Sequence, residues 1–293
     1  MIAGAMFALV LGAPSTDTLP GPPTAPGTFT LWQLPAQTPT QMMSYILRTS
    51  GNRVAVIDGG MPGDAAYLRS FIKTLGDRVD AWVITHAHTD HFGALGEILV
   101  QADRPQICAL YGSLPDLEWF RQWGDEDPAR YETFLSRVAA AGVPTIEVEA
   151  GQEFTLDGVR FEVLGVFNPE ITRNGPNNSS LVLRVSDIRK AVLFTGDLGV
   201  EGGNKVLAGP YAHRLQADYV QMAHHGQNGV SEQFYRHVNP NYCLWPTPLW
   251  LWNNDNGGGQ GSGPWRTLEV REWMTRLHIR QHYVSFEGLY RID

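Results

Sequence analysis

Short apolar runs bounded by Gly-containing turns alternate along this chain with stretches of helical spacing, the pattern of a mixed α/β protein. Phe29 to Leu34, Met43 to Thr49 and Arg53 to Ile57 read as strands of one meander, the last closed by the turn Asp58-Gly59-Gly60. Ala65 to Leu75 has helical spacing, Ala81 to Ile84 is a strand, and Phe92 to Val100 is an apolar helix. Pro105 to Tyr111 follows as a strand, and Leu114 to Ala141 holds one or two helices with a polar break at Gly124 to Pro128. The aromatics Trp119, Phe120 and Trp123 at helical spacing are expected in the core. Thr145 to Val148, Glu153 to Leu156, Val159 to Gly165, Ser180 to Val185 and Ala191 to Thr195 carry the chain through a second sheet, to which Asp218 to Ala223 adds a strand. Thr267 to Leu277 is a final helix, and His282 to Ile292 a closing strand pair.

The pattern changes in two places. Ile2 to Gly12 is apolar but too short to span a bilayer as a helix, and Pro-rich Leu19 to Gly27 follows it. The segment resembles a secretory h-region, although no Lys or Arg precedes it. Residues 1–27 are therefore expected to be a leader or linker and 28–293 the folded domain, in the cytoplasm or exported, with no membrane span. Between Cys243 and Trp273, Trp245, Trp250, Trp252 and Trp265 flank the Gly-rich run Asn253 to Pro264. It lacks Gly-Lys-Ser/Thr, so a mobile loop is expected rather than a nucleotide cradle, its aromatic ends either covering a cleft or packing on the core.

With 293 residues and 43% hydrophobic content the chain can bury a substantial core. Its net charge of −8 argues against a stable nucleic-acid complex or adhesion to an anionic membrane. Cys108 and Cys243, far apart in apolar surroundings, are expected to be buried free thiols.

The chemistry concentrates in Val83 to Leu95, where His86, His88, Asp90 and His91 fall between a strand and a helix. Two residues apart, His86 and His88 can converge on one metal, while Asp90 and His91 can turn toward a second. Imidazole and carboxylate are the ligands of Zn²⁺ and related ions at catalytic sites. Asp197 emerges at the end of the apolar strand from Ala191, a candidate bridging ligand, and the strand from Asp218 runs into His224-His225-Gly226. Asp58 either orients a ligand histidine from behind or serves only its turn. His237, His278 and His282 have no motif context.

With His86-x-His88-x-Asp90-His91, Gly196-Asp197 and His224-His225-Gly226 in this order, the chain resembles metallo-β-lactamase-fold hydrolases over about Thr28 to Asp293. That resemblance implies a four-layered αβ/βα sandwich with metals in a cleft at the edge of the two sheets. Many members place a further histidine before the bridging aspartate, but none occurs here from Phe92 to Gly196, which leaves the first site poorer in protein ligands. Members lacking it include the hydrolase domain of bacterial DNA-uptake (competence) channels and choline-phosphate esterases, and both act on phosphodiesters. Asn177-Asn178-Ser179-Ser180 resembles the Asn-Ser strand start of that subgroup; Asn177 and Asn178 either bind a substrate oxygen or metal-bound water, or make an Asx turn.

The implied activity is that of a dinuclear phosphodiesterase or phosphoester hydrolase. His86, His88 and Asp197 would hold one divalent ion and Asp90, His91, Asp197 and His224 the other, with Zn expected first and Mn second. A hydroxide bridging ions about 3.5–4 Å apart would be the nucleophile. Asp90 counts among the catalytic residues as well as the ligands, and His225 or His213 would protonate the leaving oxygen. His224 is taken as the ligand because related motifs place it two residues before the glycine; the reverse stays open. The competing readings are a carbonyl hydrolase of the same fold (lactonase, thioesterase or β-lactamase) and a metal-dependent binding module without turnover. The expected partner is a small-molecule or phosphodiester substrate.

Overall fold

The computed structural model describes residues 27–293, so the expected leader lies outside the described residues except for Gly27. Strands β1 (Phe29–Gln33), β2 (Ser44–Thr49) and β3 (Val54–Asp58) form an antiparallel meander in which Leu31 faces Leu47 and Ile46 faces Val56. Helix α1 (Ala65–Thr74) and the two-residue β4 (Arg78–Val79) lead into β5 (Ala81–Ile84), parallel to β3. Neighbouring residues of a strand point to opposite faces. Trp82 and Ile84 therefore pack under helices while Ala81 and Val83 pack between the sheets. Both faces are covered, which is why this strand reads as an unbroken apolar run.

Helix α2 (Thr89–Leu99) starts directly after the histidine pair. The stretch Pro105 to Tyr111, expected as one strand, is two: β6 (Gln106–Ile107) pairs only with β4, and β7 (Leu110–Gly112) joins β5. Helices α3 (Leu117–Trp123) and α4 (Pro128–Ala141) are separated at the polar break and are capped by Asp116 and Asp127, whose carboxylates accept from Trp119 N and Ala129 N. Of the three aromatics expected in the core, only Phe120 is buried; Trp119 packs edge-on against Phe167, and Trp123 at the helix end is 40% exposed. The next strand, β8 (Thr145–Glu147), pairs with β7 and so belongs to the first sheet rather than the second.

Strands β9 (Glu153–Leu156) and β10 (Val159–Gly165), helix α5 (Gly175–Asn178), and strands β11 (Val182–Ser186) and β12 (Ala191–Phe194) begin the second half. Helix α6 (Val200–Ala208), strand β13 (Tyr219–Gln221), helix α7 (Glu232–Val238), strand β14 (Tyr242–Trp245) and helix α8 (Leu249–Trp252) follow. Helix α9 (Thr267–Arg276), β15 (Gln281–Val284) and β16 (Tyr290–Ile292) complete the chain. The last two strands are not a pair: β15 runs parallel to β14, while β16 returns to the other sheet antiparallel to β1.

The sheets have the orders β16-β1-β2-β3-β5-β7-β8 and β15-β14-β13-β12-β11-β10-β9. Three buried clusters define four layers. One lies between α1, α2, α3, α4 and the first sheet, one between the sheets, and one between the second sheet and α6, α7 and α9. The sandwich therefore has the expected four-layered αβ/βα architecture. Cys243 is buried and Cys108 half-buried, and both are free. The Gly-rich run is folded back on itself rather than extended as a loose loop: Asp255 accepts from Gly257 N and Gly259 N, and Gly263 N donates to Asn254 O. Its base packs through Trp250 against Trp265, with ring centroids 4.8 Å apart. Among the described residues no helix is long and apolar enough to cross a membrane.

Candidate metal centre

The strand ends that carry chemistry are the C-terminal ends of β3, β5, β12 and β13, which the sandwich brings to one rim. Asp58, the last residue of β3, sits at φ +58°, a left-handed conformation that Asp tolerates better than most residues. That turn aims its buried carboxylate across to the next strand, where it accepts from Thr85 N at 2.7 Å and Thr85 Oγ1 at 2.8 Å. It also lies 2.9 Å from Nδ1 of His91, in the first turn of α2. An ionised carboxylate only accepts, so the His91 proton belongs on Nδ1 and Nε2 is left facing the centre. His225 is held in the same way from the other half of the molecule: its Nδ1 lies 2.7 Å from Pro246 O, which leaves Nε2 inward.

Asp197 is placed by its own strand end. Its N–H donates to Ser180 Oγ at 2.9 Å, and Gly196 O accepts from Gln221 Nε2 at 3.0 Å. Gly196 has φ +53°, and a Cβ there would fall 2.7 Å from Ser180 Oγ, so this turn requires glycine.

Two sets of converging donor atoms result, Asp90, His91, Asp197 and His225 in one and His86, His88 and Asp197 in the other, with Asp197 common to both. A third grouping, His88 with Asp90 and Glu126, is only partly buried, and its Glu126 is already engaged by Thr89 at the start of α2. His91 Nε2 is 3.3 Å from Asp197 Oδ1, His225 Nε2 is 3.4 Å from Asp197 Oδ2 and 2.9 Å from Asp90 Oδ2, and His86 Nε2 is 3.1 Å from His88 Nδ1. His91 Nε2, His225 Nε2 and Asp197 Oδ1 are all buried without a satisfied hydrogen bond. Buried polar atoms are left so only rarely, and three of them facing one point fit a cation between them. Nitrogen and carboxylate donors without thiolate suit Zn, Mn or Fe.

Charge makes the same demand. Burial would raise the carboxyl of Asp197, but His225, His91 and His224 hold it well below the usual carboxylate range. Burial likewise works against Asp90, which His91 and His225 nevertheless hold low. Burial would push the imidazole of His91 down, yet Asp197, Asp90 and Asp58 keep it well above its ordinary value, and His225 is pushed up to about 10 by Asp197 and Asp90. His86, buried and beside His91, is driven well below its ordinary value. The two carboxylates therefore keep their charge by keeping protons on imidazoles, the positions a divalent ion would take over.

Several expected roles are redistributed. His225 is fully buried in the four-residue donor set, whereas His224 is 21% exposed, lies 3.8 Å from Asp197 Oδ2 and falls outside every set. Consecutive left-handed φ values at His224, His225 and Gly226 turn the second ring inward and leave the first at the rim. His213 does not reach the centre. It is exposed on a turn before β13, at the N-terminal end of a strand whose C-terminal end carries the histidines. Asn178 is buried, donating to Arg173 O and accepting from Gly202 N; Asn177 donates to Asn174 Oδ1, while its own buried Oδ1 finds no partner among the described residues. Their segment is a helical turn, and the neighbouring Ser180 accepts from Asp197 N.

Two residues that read in the sequence only as part of a polar break reach the centre. Asp125 Oδ1 lies 2.7 Å from His88 Nε2, and Glu126 Oε2 accepts from Thr89 N at 3.0 Å. The acidic run Asp125-Glu126-Asp127 between two aromatic-bearing helices was the available signal.

The sequence model of the family described as the metallo-beta-lactamase superfamily matches residues 38–233. ComE operon protein 3 of Bacillus subtilis (strain 168) is 28% identical over 168 residues, 57% of this chain and 20% of that protein. Hydroxyacylglutathione hydrolase GloC of Haemophilus influenzae is 26% identical over 157 residues, 51% of this chain and 62% of that one. The chain thus spans a fifth of the first relative and less than two thirds of the second. The crystal structure of CmlA, a diiron beta-hydroxylase from Streptomyces venezuelae, superposes with a TM-score of 0.55 at 14% identity, over 92% of this chain and 55% of that one.

Proposed function

Because the chain belongs to the metallo-β-lactamase superfamily, we propose that it is a dinuclear metal-dependent phosphodiesterase or related phosphoester hydrolase. One observation carries the reading: two donor sets share Asp197, and the set containing His86 and His88 has no third histidine. A site with few protein ligands leaves room for two non-bridging phosphoryl oxygens, where a carbonyl substrate presents only one. In this proposal His86, His88 and Asp197 hold one ion and Asp90, His91, Asp197 and His225 the other, with Zn first and Mn second. Bound there, the ions supply Lewis acidity and an acidified water. The chain's own residues do the rest. Asp58 and the Pro246 carbonyl fix which nitrogen each histidine presents. The rim histidine His224, rather than exposed His213, is assigned the proton transfer to the leaving oxygen.

The rival is thioester or lactone hydrolysis, for which the likeness to GloC speaks. The test combines metal analysis of the purified protein with turnover of bis(p-nitrophenyl) phosphate, a lactone, a glutathione thioester and a chromogenic cephalosporin. Two ions per chain with phosphodiester turnover supports the proposal. Turnover confined to the carbonyl substrates, or two bound ions with no turnover of any substrate, overturns it.

A further inference from the structure

The corner between α3 and α4 reaches over the rim of the metal centre, and two consecutive side chains do separate things there. Asp125 Oδ1 lies 2.7 Å from His88 Nε2. Glu126 Oε2 accepts from the backbone N–H and the hydroxyl of Thr89. Thr89 opens α2, whose N-cap residue is His88 itself, and His88 makes no side-chain cap. The helix carrying Asp90 and His91 is thus capped from another element, which satisfies one of its orphan N–H groups and places a carboxylate at the positive end of its dipole.

The corner is held where it is. Asp116 and Asp127 cap the two helices beside it, and Tyr131 Oη donates to Pro115 O at 2.6 Å. Phe134 of α4 stacks on Phe92 of α2 with ring centroids 4.5 Å apart. A Cβ on Gly124 would meet Phe120 O at 2.5 Å, so the chain turns this tightly only with glycine. His88, by contrast, would be poorly fixed without the corner: its Nδ1 faces His86 Nε2 at 3.1 Å, and on its other side stands Asp125.

We propose that Asp125 is the positioning residue of the first metal site. By accepting from Nε2–H of His88 it selects the tautomer whose Nδ1 lone pair faces His86 and Asp197, and it holds the ring at that angle. In the neighbouring site the orienting carboxylate comes from inside the sandwich, through Asp58 on His91; here it comes from a surface corner, with the Asp125 side chain 52% exposed. The site with the fewest protein ligands therefore depends on a carboxylate that touches no ion. Glu126 supports it by fixing the start of α2 against the same corner.

The inference rests on the proposed two-metal reading, and the experiment separates the two. Calorimetric titration of metal-stripped protein with Mn²⁺ or Zn²⁺ would be run on the wild type, Asp125→Ala and Asp125→Asn, with the electronic spectrum of the Co²⁺-loaded proteins recorded alongside. Asp125→Ala is expected to weaken one of two binding steps by about 10–100-fold and leave the other unchanged, as loss of such an outer partner does. Asp125→Asn, whose amide oxygen can still accept from Nε2–H, is expected to restore most of that step and the wild-type Co²⁺ spectrum. Two unaltered steps in Asp125→Ala would overturn the positioning role while leaving the metal reading intact. Equal weakening of both steps by both variants would also overturn it. A wild type that binds no ion would remove both.

Discussion

At the scale of single residues, the centre is decided by which imidazole nitrogen faces inward. His224 and His225 are adjacent and share a positive φ, but only His225 is fully buried, with its outer nitrogen tied to a carbonyl and its inner nitrogen among carboxylates. His225→Ala is therefore expected to cost one metal-binding step more than about 100-fold, since even an outer partner costs about 10–100-fold. His224→Ala is expected to keep both steps and lose turnover. Titrating both variants with metal and following hydrolysis checks this, and the opposite pattern would restore the assignment of His224 as ligand. Protonation supplies a second expectation. In the metal-free centre burial opposes the charge on His91 and His225, but the surrounding carboxylates outweigh it, holding the first well up and the second at about 10. A raised imidazole stabilises the fold in full below its ordinary value of about 6.5, and that contribution is lost as pH rises through the folded value. Incoming ions must displace these protons, so apparent metal affinity should climb as pH rises toward the value of about 10 at which His225 gives up its proton, with net proton release. Calorimetry in buffers of different ionisation enthalpy measures that release, and affinity independent of pH would contradict it.

Elements place these residues by ending where they do, and the least replaceable end is the turn after β13. A Cβ on Gly226 would lie 2.3 Å from the Trp245 ring, at a φ of +79° that side chains rarely adopt. Gly226→Ala is expected to destabilise the protein by about 2–4 kcal/mol through backbone strain and overpacking, and to displace His225. Denaturant unfolding with parallel metal analysis tests it; a variant within about 0.5 kcal/mol of wild type and fully metal-loaded would refute the argument. The strand ends were legible from residues because Asp58, His86, Asp197 and the His224-His225 pair each stand within three residues of the end of an apolar run. What stayed hidden was nonlocal. Nothing in Gln281 to Ile292 says that its two strands part to different sheets, because each finds its partner far away in the chain, β14 and β1. Nor does Thr145 to Glu147 show that it closes the first sheet. The acidic corner at Asp125 looks like a solvated break until α4 packs on α2, and the exchange between His224 and His225 depends on backbone turns that neighbouring residues of identical type cannot announce.

In the molecule as a whole, the two halves meet through an apolar interior between the sheets. Tyr45 of the first sheet packs on Phe194 of the second with ring centroids 5.1 Å apart, and buried Gln33 donates to the Tyr283 carbonyl across the same layer. The rim is different. His86, His88, Asp90 and His91 come from the first-sheet half and Asp197 and His225 from the second, so both proposed ions join the halves where the apolar layer ends. Binding only to the assembled sandwich, each ion stabilises it by about 2.7 kcal/mol when free metal stands at about 100 times its dissociation constant. For a chain of this size about 1 kcal/mol moves the midpoint of thermal unfolding by roughly 2–4 °C. Chelation should therefore lower that midpoint by roughly 5–10 °C for each ion removed while leaving the far-UV circular dichroism of the cold protein unchanged. Collapse of the spectrum on chelation would show that the layers depend on the metals for folding. An unmoved midpoint would show that the rim does not join the halves at all.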